Sequence, residues 1–86
     1  MDKQDSFWLK LRRSALWHNI IRSVPADPAI IKTHLSIKTW DHSDYETLSH
    51  LLNAIPEDFK NSELSIKSYL NAQAGYQSLT EKFPLS

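Results

Sequence analysis

The sequence predicts an all-α fold, a compact bundle of four to five short helices. Three observations carry that expectation. A single glycine, Gly75, occurs in 86 residues; hairpins and bulges draw on glycine for positive φ angles, so a β-rich fold is disfavoured. Apolar residues recur at helical spacing through most of the chain. Pro25, Pro28, Pro56 and Pro84 divide it into pieces of helix length.

The first segment runs from about Ser6 to Ser23. Asp5 or Ser6 can cap it, and Pro25 stops it because the residue before a proline leaves the α region. The second opens at Asp27-Pro28, a capping residue followed by proline at the first helical position, and runs through Ile30, Ile31 and Leu35 to about Ile37. A third segment begins at Ser43, where Glu46 can close a capping box, and carries Leu48, Leu51, Leu52 and Ile55 before Pro56. The fourth starts at Ser62 and continues to about Lys82 along the stripe Ile66, Tyr69, Leu70, Ala72, Tyr76, Leu79 and Phe83. Pro56-Glu57-Asp58-Phe59 suits a short extra turn, and Gly75 marks a place where the last helix can break.

The first segment is unlike the others. A helix that covers one core shows one apolar stripe. Here Phe7, Leu11 and Ala15, with Trp8, share a face of the N-terminal half, whereas Leu16, Ile20 and Val24, with Trp17 and Ile21, occupy a largely opposite face of the C-terminal half. Read as one helix, it needs cover on more than one side, so it is expected at the centre of the domain. The core is expected from Phe7, Leu11, Leu16, Trp17, Ile20, Ile21, Ile31, Leu35, Leu48, Leu51, Leu52, Ile55, Leu70, Tyr76 and Leu79. Residues 1–86 make one domain, with 1–5 and 84–86 expected as flexible tails.

Composition narrows the function classes. There is no cysteine, so disulfides, thiolate metal sites and cysteine nucleophiles are excluded. One glycine excludes both the dinucleotide fingerprint and the P-loop, which each need at least two. Apolar runs no longer than Phe7-Trp8-Leu9 give no expectation of a membrane span or secretory core. Net charge is zero, yet residues 1–40 hold seven Lys and Arg against three acids, and residues 41–86 hold three against seven. Such halves can close on each other within one fold or pair between chains.

Site chemistry is sparse. Glu46 and His50 stand four apart, a spacing that can place two ligands on one metal; His42, four before Glu46, precedes the capping box and is expected off the helix, so no third ligand is specified and a solvated face is the simpler reading. No serine sits on a strand–turn–helix elbow. Adjacent Glu57 and Asp58 do not face one another as a carboxylate pair. No enzyme activity, cofactor, metal or small-molecule substrate is therefore expected. The expectation is a cytoplasmic protein–protein interaction module, an adaptor, inhibitor or regulatory subunit whose partner is another protein, possibly its own copy in a homodimer. Trp8, Leu9, Arg12, Arg13 and Trp17 are the expected contact residues, since Trp and Arg are the usual anchors of interfaces. The alternative is a nucleic-acid-associated factor that uses Lys10, Arg12, Arg13 and Arg22 of the basic first segment. Membrane-surface binding through the same residues is a third reading.

Overall fold

The computed structural model describes residues 3–84 and contains six α-helices: α1 (Lys3–Arg13), α2 (Leu16–Ile21), α3 (Pro28–Leu35), α4 (His42–Asn53), α5 (Glu63–Asn71) and α6 (Ala74–Glu81). A 3-10 turn at Glu57–Asn61 joins α4 to α5. The described residues contain no strand. Residues 1, 2, 85 and 86 of the expected tails lie outside the described residues, whereas residues 3–5 form the first turn of α1.

The segment expected as one helix from Ser6 to Ser23 is two. Phe7 and Leu16 are nine positions apart, which on a continuous helix is about 180° around the axis. The chain breaks at Ser14 and Ala15, and both faces then reach one core. Locally, the Ser14 Oγ donates to the Leu11 carbonyl at 2.8 Å, a back-bond that competes with the helical ladder. The amides of Trp17 and His18 reach only three residues back, to Ser14 and Ala15. Phe7, Leu11, Leu16 and Ile20 are consequently all buried. The double-faced helix is thus two single-faced ones.

α2 ends in a Schellman arrangement. The Val24 amide donates to the Asn19 carbonyl at 2.9 Å and the Ser23 amide to Ile20 at 3.2 Å, with Ser23 in the left-handed region at φ 58°. Ile21, expected in the core, is 41% exposed. It falls on the outer side of a helix only six residues long. Trp17 and Leu51, also expected there, are partly buried against the core.

α3 begins as the sequence indicates, with the Asp27 carboxylate accepting from the Ile30 amide at 2.9 Å and Pro28 at the first position. α4 uses a different box from the expected one. Asp41 and Asp44 cap each other's backbone amides at 3.0 Å in both directions, so the helix starts at His42, before Ser43. Ser62 caps α5 through the Ser65 amide at 3.1 Å.

The fourth segment also breaks, not at Gly75 but at Gln73, whose extended backbone (φ −94°, ψ 126°) separates α5 from α6. Gly75 lies in the first turn of α6, where a Cβ would meet the Thr47 Cγ2 of α4 at 3.2 Å. A glycine there lets α6 approach α4 closely.

The core forms one cluster. Phe7 stands among Trp40, Tyr76 and Phe83, with ring centroids 5.4, 5.5 and 5.6 Å away. Trp8, Ala26, Ile37, Trp40, Tyr45 and Ile66 join the core beyond the expected set. Two loops are pinned to the core at Ala26 and Ile37 by side chains of α4. The Tyr45 hydroxyl donates to the Ile37 carbonyl and accepts from the Ile37 amide, each at 2.9 Å. Asn53 accepts from the Ala26 amide at 3.0 Å, and Ser49 donates to the Ala26 carbonyl at 2.6 Å. Buried backbone groups are satisfied at both places.

Candidate protein-interaction surface

α1 turns one side to the core and stands between two open depressions on the other. On one side, a groove against α5 is lined by Trp8, Leu9, Arg12 and Leu64. Its rim carries two ion pairs between the helices: Arg12 to Glu63 at 3.3 Å and Lys67 to Asp5 at 3.0 Å. Leu64 is 79% exposed, the most exposed large apolar residue among those described. On the other side, a depression lined by Leu9, Lys10, Arg13, His34 and Phe83 opens toward the C-terminal end of α3.

The expected contact residues divide between these places. Trp8, Leu9 and Arg12 line the α1–α5 groove, while Arg13 faces the second depression with Leu9 shared between them. Trp17 lines neither; it stands edge-on to Trp8 with centroids 5.4 Å apart. Trp8 is a core residue at 5% exposure, contributing to the groove rather than standing free as an anchor. Its position follows from the break at Ser14. With α2 folded back, the Trp8 ring is covered from the side that a straight helix would leave open. Truncating it therefore reads out folding first.

Leu64 escaped the sequence reading, although a signal for it was present. It precedes Ile66 by two positions, which at about 100° per residue places it about 200° around the helix from that buried side chain. An apolar residue on the far face of an amphipathic helix becomes informative where it joins other apolar surface, as Leu64 does with Leu9 and Trp8.

The basic set assigned to the first segment is also dispersed. Arg12 belongs to Glu63, and Arg22 lies at the end of α2 beyond the break. Lys10 and Arg13 remain together. The apolar residues that an interfacial helix would insert, Phe7, Trp8 and Leu11, are in the core.

Other polar clusters have structural explanations. Ser23 donates to Glu57 at 2.5 Å and accepts from Lys60 at 3.0 Å, beside a cleft of about 280 Å³ between α2 and α4. A nucleophile needs donors for the developing oxyanion. The amides of Ser23 and Val24 are already committed to the end of α2. His42, the first residue of α4, lies 3.4 Å from Glu46 with both side chains mostly in solvent. Among the described residues, no three His, Asp or Glu side chains gather where they could hold a metal. No helix among them is long and apolar enough to cross a membrane.

Lys82 holds its proton more tightly than a free lysine. Its ammonium donates to both oxygens of Asp44, at 3.0 and 3.3 Å. That hydrogen bond and the Asp44 charge, with a smaller contribution from Asp41, raise its pKa above the ordinary value of 10.5. The pair ties α6 to the start of α4.

Compared with family models, curated proteins and solved structures, the chain matches none.

Proposed function

We propose that the protein is a small interaction module that acts by binding another protein through the α1–α5 groove, not by catalysis. The observation that supports this reading is Leu64, 79% exposed beside Leu9 and Trp8 within a rim of paired charges. An apolar centre with a polar rim is the anatomy of a protein interface. Leu64 carries weight here because it continues the apolar surface of Leu9 and Trp8 in one groove and does not stand alone. The role is that of an adaptor, inhibitor or regulatory subunit in the cytoplasm, and a second copy of the chain is one candidate partner.

The test is site-specific photocrosslinking in the native cell from position 64, with position 34, on the other side of α1, as the comparison. Covalent capture of a discrete protein from position 64, lost on Leu9→Glu, supports the groove as the interface. Capture of the chain itself, with a dimeric mass in solution by light scattering, identifies the homodimer. No discrete product from position 64, with Leu9→Glu still folded by circular dichroism, overturns the reading.

A further inference from the structure

The second side of α1 carries a different surface. Three open depressions join there. The first shares Lys10 and Phe83 with the second, and the second shares Ser36, Ile37 and Lys38 with the third, which also reaches Lys32. Together they form a trough bordered by Lys10, Arg13, Lys32, His34 and Lys38. No acidic residue lines any of the three depressions.

The four formal cations, Lys10, Arg13, Lys32 and Lys38, are in no ion pair among the described residues. That separates them from Arg12, Lys67 and Lys82, which each have a carboxylate within 3.3 Å. A cluster of unneutralised cations raises the local potential and draws anions toward it, even in a chain of zero net charge. The accessible floor is apolar, with the half-buried Leu9 and Phe83 and the exposed Pro84 between the charges.

We infer that this trough binds an acidic protein segment, one that places carboxylates on Lys10, Arg13 and Lys38 and an apolar side chain on Leu9 and Phe83. Charge complementarity selects an anionic partner. The floor then decides between the polyanions. Single-stranded nucleic acid is held by stacking bases on open aromatic faces. Here Trp40 and Tyr45 are buried and packed edge-to-face with centroids 5.3 Å apart, and Phe83 is turned edge-on to Phe7, so none of them offers an open ring face. Aliphatic and proline surface between cations suits a peptide that alternates carboxylates with apolar residues. The surface shares only Leu9 with the α1–α5 groove and does not depend on that groove having a partner.

The test is fluorescence anisotropy with the full chain and a fluorescein-labelled peptide of alternating Glu and Leu. A Gln-for-Glu peptide and a single-stranded oligothymidylate are the comparisons. Saturable binding of the acidic peptide is expected at low salt. It should weaken by about tenfold or more in Lys10→Glu/Lys38→Glu and remain unchanged in Leu64→Glu. Amide shifts in a two-dimensional nitrogen–proton spectrum should concentrate at residues 9–14, 34–38 and 83. Tighter binding of the oligothymidylate through the same residues would overturn the inference in favour of nucleic acid. Absence of binding by the acidic peptide, equal binding of the Gln peptide, or shifts at Leu64 instead would overturn it outright. Circular dichroism of each variant separates a lost surface from a lost fold, because all the substituted side chains are exposed.

Discussion

The two sides of α1 use the same residue types to opposite effect. Toward α5, Arg12 and Lys67 are matched by Glu63 and Asp5, and the surface between them is apolar with Leu64 exposed. Toward α3, Lys10 and Arg13 are joined by His34 and Lys38 and meet no acid. A count of charges along the helix is blind to this difference, because Arg12 and Arg13 are neighbours in sequence. One hundred degrees of rotation carries one to a carboxylate and leaves the other in solvent. The surfaces of a small domain are therefore set by what stands opposite each residue.

The largest expected effect removes the wall that both sides share. Phe7→Ala takes away the ring that Trp40, Tyr76 and Phe83 surround and should cost about 3–5 kcal/mol. In a domain of this size that is a large part of the total stability. Thermal melts followed by circular dichroism should show partial or complete unfolding; a melting temperature near wild type would mean that α1 is not anchored by this cluster.

Tyr45→Phe acts on the trough side alone. It leaves the Ile37 amide and carbonyl without the hydroxyl that serves both, at a cost of about 1–3 kcal/mol. Hydrogen exchange should accelerate at residues 36–40 more than at residues 63–67. Equal acceleration on both sides would break the comparison.

The Lys82–Asp44 pair should give a smaller effect, visible against pH. A group whose folded-state pKa is raised adds stability that is fully present below the unfolded value of about 10.5. That contribution is lost as pH rises through the folded value. Urea denaturation across that alkaline range should show the loss in wild type, and Asp44→Asn should remove this step while leaving an oxygen to cap Asp41.

Glu63→Gln sharpens the contrast by making the paired side resemble the unpaired one. Both members of the Arg12–Glu63 pair are substantially exposed, so stability should change by under about 1 kcal/mol. Anisotropy with an acidic peptide should nevertheless show new, salt-sensitive binding that Arg12→Gln removes again. The smallest effect belongs to Ser36→Gly. Ser36 has φ 48° at the end of α3, where glycine relieves a steric cost that is partly offset by its greater freedom in the unfolded chain. After the loss of the exposed Ser36–Lys32 hydrogen bond, a net gain of a few tenths of a kcal/mol in unfolding free energy, read from urea denaturation, is expected.

Much of this fold can be read locally. Asp27 and Ser62 cap where short side chains precede apolar periodicity, and Pro56 closes the segment before it. The stripe from Leu48 to Ile55 is buried as its spacing requires, with Leu51 at the margin. The breaks were not legible in the same way. Ser14-Ala15 and Ala72-Gln73 are ordinary helix-compatible pairs, and nothing at those positions alone forbids a continuous helix. The residues Ile37 and Trp40 sit in a β-branched stretch without helical period, so their burial had no pattern to announce it. Of the candidate surface, Leu9 and Arg12 were legible by type. Leu64 was legible only by its angle to Ile66.

By itself, then, the sequence determined the helical class, the capped starts of α3 and α5, and most of the side chains that must leave water. Propensity, capping and amphipathic period act over a few residues and are written in them. Only the tertiary structure decided that the first segment folds back on itself, that Trp8 is core, and that Arg12 is neutralised while Lys10 and Arg13 are not. Those outcomes depend on which residues meet across 51 or 62 positions of chain, as Arg12 meets Glu63 and Asp5 meets Lys67. Burial is a property of the whole packed core, and no local window contains it.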